Sequence, residues 1–220
     1  KLETTFAALS RKVLKVCYVP GNHELWVKRC RTADSLTKFD WVMSLARDIG
    51  LQTDIWHSDG LTIVPMLSWY DFSFGQPGER LLKAWGDFYC CQWPQGYDVA
   101  AVSRYFLKRN EAFLTRDADT VISFSHFLPR IDLMPPQIPL SQRYLYPVPG
   151  SDALGAQLAR LRPDIHIYGH SHVNRRVVID GVSYVNNAFG YPSETYMTHR
   201  QLVCVYDDAM PAQAGQSCYS

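Results

Sequence analysis

Three loops with polar side chains each follow an apolar run in this sequence. Residues 20–24 read Pro-Gly-Asn-His-Glu after the run 16–19, His126 follows the run 120–124, and residues 168–172 read Tyr-Gly-His-Ser-His after another. Imidazole nitrogens and side-chain amide oxygens both ligate divalent ions such as zinc, iron and manganese. Because strand ends can bring ligands together from distant parts of a chain, we expect these loops to build a metal site.

The first loop contains the most specific pattern. Gly21 allows the chain to turn sharply and approach a ligand closely. If Asn22 ligates the metal, the adjacent His23 is free for acid–base catalysis or for stabilising a phosphate. The alternative is a simple turn with Asn22 in a left-handed conformation.

The remaining histidines have no supporting context. His57, His166 and His199 are assigned no function. His166 alternates with Ile165 and Ile167, so we expect it to point away from them and to serve a structural role.

Length and composition limit the class of protein. A chain of 220 residues is expected to form one domain, and 22 basic against 21 acidic residues give no strong nucleic-acid signal. No apolar stretch approaches the roughly 20 residues of a membrane span. The six cysteines include no Cys-x-x-Cys pair, which favours reduced thiols. With no visible signal peptide, we expect an intracellular location, cytoplasmic or organellar.

Hydrophobic periodicity and turn residues predict an α/β fold with a mixed sheet in a single domain over residues 1–210, followed by a flexible tail at 211–220. The first helix is predicted over 2–14 and the third over 99–114. Asp34 and Ser151 are predicted to cap two further helices, which end near Gly50 and Leu161. Strands are predicted at 16–19, 51–56, 61–67, 120–124, 164–168, 176–179, 182–186 and 201–206, with Asp180-Gly181 as a hairpin turn.

Two long irregular stretches stand out, at 71–97 and 129–150. Their aromatic residues either cover the edge of the core, as in an Ω-loop, or form the wall of a substrate pocket. Tyr70, Arg130 and Arg143 are candidate substrate-binding residues. The alternative for the arginines is that they are solvated loop side chains.

The motifs Gly-Asn-His-Glu at 21–24, Ser-His at 125–126 and Gly-His-Ser-His at 169–172 resemble the third, fourth and fifth motifs of the calcineurin-like metallophosphoesterase superfamily. The segments 19–26, 67–70, 91–94 and 124–129 are similar to an uncharacterised eukaryotic branch known from plants. The resemblance extends from about Val16 to Pro192 and so covers most of the chain.

This resemblance implies a four-layer α/β/β/α sandwich with a two-metal site that activates water for attack on phosphorus. Asn22, His126 and His170 would hold the second metal, and His172 the first. His23 would be the catalytic histidine, oriented by Glu24. The implied cofactors are two divalent ions, of manganese, iron or zinc, and the implied substrate is a phosphorylated small molecule or a phosphoprotein.

Two motifs of the superfamily, Asp-x-His and Gly-Asp, have no counterpart here. The four implied ligands carry no negative charge, whereas hard divalent ions generally take carboxylates. We therefore expect an N-terminally incomplete domain with incompletely bound metal, in preference to a degenerate relative. The alternatives are a catalytically inactive scaffold or subunit of a larger assembly, and a zinc hydrolase with one ion on Asn22, His126 and His170.

Overall fold

A computed structural model of the protein describes residues 1–28, 30, 32–198 and 200–208. His199 and the predicted tail at 211–220 lie outside the described residues. Within them, no helix is long and apolar enough to span a bilayer. The five cysteines of this part of the chain are all free thiols, as the sequence predicted.

One six-stranded mixed sheet forms the centre of the fold. Its strands lie in the order β1-β2-β3-β4-β6-β5. The inner four are parallel, and each outer strand is antiparallel to its neighbour. The strands are β1 (Trp56–Ser58), β2 (Leu61–Met66), β3 (Thr120–Ser125), β4 (Ile165–Tyr168), β5 (Arg175–Ile179) and β6 (Val182–Asn186).

In the described part of the chain, six α-helices surround the sheet and its loops. They are α1 (Leu2–Ser10), α2 (Ser35–Asp48), α3 (Glu79–Ala84), α4 (Asp87–Cys90), α5 (Val99–Asn110) and α6 (Asp152–Leu161). The predicted caps are present: Asp34 accepts from the backbone of Leu36 and Thr37, and Ser151 accepts from Leu154. The caps fix where α2 and α6 begin.

The largest core cluster lies on one face of the sheet. Leu107 of α5 and Leu154 and Leu158 of α6 pack there with Val64 and Val121. The opposite face carries a smaller cluster of Ile122, Ile165 and Val185, with half-buried neighbours. The α/β class and the mixed sheet are confirmed, and the described residues contain one sheet of the expected sandwich.

Several predicted strands and helix ends differ from the structure. The segment 16–19 is extended but contributes only an isolated bridge from Cys17 to Gln52, and among the described residues no strand begins before Trp56. Residues 201–206 form no strand. Helix α1 ends at Ser10, since Val13 and Leu14 beyond it are exposed. Apolar runs without a neighbouring strand or a core to cover do not form regular structure.

The β5–β6 hairpin agrees with the sequence. Asp180 and Gly181 have φ angles of 52° and 81°, the left-handed conformations that a type I′ turn requires.

The long stretches 71–97 and 129–150 contain only short helical turns. Trp85, Phe88, Trp93 and Tyr144 from these stretches pack against a second core cluster around Trp69. This packing matches the Ω-loop interpretation for most of their aromatic residues.

Candidate metal centre

The ends of β3 and β4 place two histidines side by side. β3 runs directly into His126, and β4 leads through Gly169 to His170. The two strands are parallel neighbours, and the Gly169 N–H donates to the His126 carbonyl just beyond the sheet at 3.0 Å. Adjacent parallel strands therefore carry both imidazoles to one edge, as the sequence predicted.

Asn22 joins these two histidines. His126 Nε2 lies 3.1 Å from Asn22 Oδ1 and 3.1 Å from His170 Nδ1. A zinc-type ion with bonds of about 2.0–2.2 Å holds neighbouring ligand atoms roughly 3.0–3.5 Å apart. Two imidazole nitrogens and one amide oxygen also suit a borderline divalent ion. The three residues, which we call the ligand trio, therefore fit one metal.

The trio is unusual in depending on an amide. Within the described part of the chain, no three His, Cys, Asp or Glu side chains meet at metal-binding distance. The trio itself is neutral. With a metal bound, it would supply three ligands and leave room for water, substrate or other ligands.

Burial keeps both histidines of the trio in the ligating form. It lowers the pKa of His126 to about 3, with further lowering from the nearby His23 and His172. It also lowers the pKa of His170 well below its usual value. A neutral imidazole keeps a lone pair for a metal, so these side chains are available at all but strongly acidic pH.

Gly21 is required by close packing against His126. A Cβ at this position would lie 2.7 Å from His126 Cε1 and 2.8 Å from its Nδ1. Gly21 shows no positive φ, so the space for the imidazole, not backbone freedom, demands glycine here. The first loop can approach the β3 end only because this residue has no side chain.

A buried carboxylate that sequence reasoning missed lies behind the trio. Asp87 is 3% exposed and accepts hydrogen bonds from Asn22 Nδ2 at 2.8 Å, Trp26 Nε1 at 2.6 Å and Trp85 Nε1 at 2.9 Å. Burial raises the pKa of Asp87, while the three N–H donors act in the opposite direction. These residues follow no recognised spacing in the sequence.

His172 lies outside the trio in a separate pair. Its Nδ1 is 2.8 Å from Glu194 Oε2, and its ring packs edge-on against Tyr191. His170 and His172 have φ angles of 62° and 52°, a region that non-glycine residues rarely occupy. Asn186 at the end of β6 stabilises this turn by donating to the Gly169 carbonyl and to Ser171 Oγ.

His23 is exposed beside the trio. Its ring centroid lies 3.9 Å from that of Trp26, and its Nε2 is 3.3 Å from the Tyr191 hydroxyl. The Glu24 carboxylate accepts from the Gly21 backbone N–H at 2.8 Å and so closes the loop. Its expected role in orienting His23 stays a prediction.

The three candidate substrate residues all have contacts within the fold. Arg130 pairs with Asp132 and Asp180, and Arg143 donates to the carbonyls of Pro136 and Ile138. Tyr70 is 1% exposed and packs against Trp69 and other rings of the core. These contacts favour structural roles for the three side chains, and their part in substrate binding stays a prediction.

The chain belongs to the calcineurin-like phosphoesterases, since residues 1–174 match the model of that family. Phosphoesterases of this family generally use divalent metals. The three residues of the trio come from the third, fourth and fifth motifs of the resemblance. Their role as metal ligands, like that of His172, stays a prediction.

A particular relative is [Acyl-carrier-protein] phosphodiesterase PptH of Mycobacterium tuberculosis (strain ATCC 25618 / H37Rv). It is 28% identical over an alignment of 211 residues, and the match covers 84% of this chain and 63% of the relative. The chain thus spans less than two thirds of that protein. The crystal structure of phosphopantetheinyl hydrolase (PptH) from M. tuberculosis matches with a TM-score of 0.72 at 24% identity, over 88% of this chain and 76% of that one. This likeness shows the fold. The similarity to a eukaryotic branch known from plants stays a prediction.

Proposed function

We propose that this protein hydrolyses phosphoesters with a divalent metal held by Asn22, His126 and His170. The observation that carries the proposal is that His126 Nε2 lies 3.1 Å from both Asn22 Oδ1 and His170 Nδ1. These atoms meet beyond the ends of β3 and β4 in a calcineurin-like phosphoesterase. A bound divalent ion supplies charge that polarises a phosphoryl oxygen and acidifies water.

Under this proposal His23 works on the leaving group. Its exposed ring lies beside the trio, and Trp26 and Tyr191 hold it from two sides. An imidazole in this place can donate a proton to the departing alkoxide or hydrogen-bond a phosphate oxygen. The Tyr191 hydroxyl at His23 Nε2 occupies the place from which such a proton is delivered, so substrate would displace it.

His172 supports a second ion in the same proposal. Its Nδ1 faces Glu194, and a carboxylate there favours the tautomer whose Nε2 lone pair is free. Because the side-chain contact of His172 Nδ1 is to Glu194 and not to a residue of the trio, a second candidate is hydrolysis with a single ion. Metal analysis of the active protein distinguishes two ions from one.

We propose a phosphodiester as the substrate class. The side chains around the trio are acidic or aromatic, namely Asp87, Trp85 and Phe127. Arg130 and Arg143 are engaged elsewhere. A diester carries one negative charge and needs less compensation than a dianionic monoester. The relative PptH is named for a phosphodiester linked to an acyl carrier protein, which makes a phosphopantetheine-type diester the first natural substrate to test.

The test measures turnover of a chromogenic phosphodiester and the matching monoester with added Mn²⁺ or Zn²⁺, using protein from the complete natural reading frame. We expect diester turnover to exceed monoester turnover. His23→Ala should lower it by about 10²–10⁴-fold with metal affinity retained. His57→Ala, at an exposed histidine that bonds only Thr62, is the matched control. Metal binding without turnover of either ester would instead support a catalytically inactive scaffold.

A further inference from the structure

The buried Asp87 lies at the centre of a hydrogen-bonded group that includes Asn22 of the trio and contacts His170 and the neighbouring His23. We call Asp87, Asn22, Trp26 and Trp85 the Asp87 cluster. Asp87 accepts from the amide of Asn22 and from both indoles. Of these indoles, Trp26 packs on His23 and Trp85 packs edge-on against His170, with centroids 5.7 Å apart.

The cluster sets which end of the Asn22 amide faces the metal site. An ionised carboxylate can only accept hydrogen bonds, and the nitrogen end of an amide can only donate. Asp87 therefore holds Asn22 Nδ2, which leaves Asn22 Oδ1 directed at His126 Nε2. The reversed amide would place an N–H₂ group, which cannot ligate a metal, toward the histidines.

The cluster also bears on the charge of the site. The trio is neutral, and Asp87 is the carboxylate one hydrogen bond away from it. A carboxylate that accepts a hydrogen bond from a metal ligand raises the basicity of the ligating atom, as carboxylates do behind metal-binding histidines.

From this geometry we propose that Asp87 is the positioning residue of the metal centre: it fixes the oxygen of Asn22 toward the metal and, through Trp26 and Trp85, the rings of His23 and His170. The inference rests on the proposed metal centre and not on hydrolysis. Asp87 itself touches neither metal nor substrate.

The first test is Asp87→Asn, read as affinity for Zn²⁺ or Mn²⁺ by calorimetry. The introduced amide is neutral and has one accepting oxygen for the three donors, so it no longer fixes the orientation of the Asn22 amide as firmly. We expect metal affinity to fall about 10–100-fold. Asp71→Asn is the matched control, since Asp71 accepts only from Ser73, and should leave affinity unchanged. Unchanged affinity in Asp87→Asn would overturn the proposal.

A swap separates positioning from packing. In the double variant Asn22→Asp with Asp87→Asn, either carboxylate oxygen at position 22 can face the metal while the other accepts from position 87. We expect the swap to recover most of the affinity lost in Asp87→Asn. If Asp87→Asn does not fold, the swap is compared directly with the natural protein. A swap that binds as weakly as Asp87→Asn, or that does not fold either, would show that Asp87 only packs.

Nuclear magnetic resonance of the metal-free protein gives a readout independent of the metal. The indole N–H signals of Trp26 and Trp85, assigned with Trp→Phe variants, should move upfield in Asp87→Asn as their acceptor weakens. Signals that do not move would contradict the cluster. If metal binding depends on Asp87 but the protein hydrolyses no phosphoester, the proposed hydrolysis fails and the positioning role of Asp87 stands. If turnover is the same with and without the Asp87 carboxylate, the positioning role fails and the proposed hydrolysis stands.

Discussion

Single residues of the centre are selected by the space and the hydrogen bonds around them. Asn22 is held by Asp87 on one side and meets His126 on the other. Gly21 leaves room for the His126 ring. Asn22 is required because its amide donates at one end and accepts at the other. Gly21 is required because it has no side chain.

At the residue scale, Gly21→Ala should damage the centre without unfolding the protein. The added Cβ would meet the His126 ring at 2.7 Å, and overpacking of this kind costs about 1–3 kcal/mol. We expect metal affinity to fall at least tenfold, because His126 must move away from Asn22 and His170. Calorimetric metal titration measures the loss.

Gly78→Ala is the control for this change, because a Cβ there meets nothing within 4 Å. It should bind metal as the natural protein does. Equal affinity in both alanine variants would show that the position of His126 is not set by Gly21.

Individual elements place the side chains. β3 and β4 deliver His126 and His170, and Asn186 at the end of β6 donates to Gly169 and Ser171 within the second His-bearing turn. Since the turn contains two residues at positive φ, it depends on outside hydrogen bonds to keep its shape.

We therefore expect Asn186→Ala to loosen this turn. It removes two donated bonds, each with a net value of about 0.5–1.5 kcal/mol. The expected result is a lower melting temperature together with weaker metal binding, since His170 loses its fixed direction. Asn174→Ala, which removes a 3.3 Å bond to Asn187, is the comparison. Metal affinity that survives Asn186→Ala would mean that β4 alone positions His170.

β4 also gives the fold a pH dependence. His166 is fully buried between Ser123 and Ser125, and burial lowers its pKa to about 3 from 6.5. Below pH 6.5 His166 is protonated in the unfolded chain but stays neutral in the folded state. The free energy of unfolding should therefore fall with decreasing pH between about 6.5 and 3, by up to about 1.4 kcal/mol per unit for this residue.

The measurement is denaturant unfolding of the metal-free protein at pH 7, 6 and 5. His166→Gln keeps polar contacts with the serines but has no titrating group, so its stability should fall less steeply than that of the natural chain. Parallel pH curves for the two proteins would contradict a neutral buried His166.

The sequence predicted those elements whose signals are local. Asp34 and Ser151 cap helices, Asp180-Gly181 turns a hairpin, and His126 and His170 follow strands. The segments 16–19 and 201–206 have strand-like patterns, but strand formation depends on a neighbour that no local pattern reveals. Asp87 was missed for the same reason: its partner Asn22 is 65 positions away.

The molecule as a whole brings three distant segments to one edge of the sheet. The trio draws on positions 22, 126 and 170, with contacts that join residues 104 and 44 positions apart. Because only the folded chain assembles the trio, metal binding should stabilise the fold by linkage. We expect Zn²⁺ at about 100 times its dissociation constant to add about 2.7 kcal/mol, and His126→Ala to abolish this gain in thermal melts.

The central claim is that these strand-end loops form a metal centre. Anomalous diffraction from crystals grown with Mn²⁺ or Zn²⁺ tests it directly. A peak within about 2.3 Å of Asn22 Oδ1, His126 Nε2 and His170 Nδ1 is the predicted result. A protein that hydrolyses phosphoesters in the presence of metal, yet shows its anomalous peak away from these three atoms, would contradict the account.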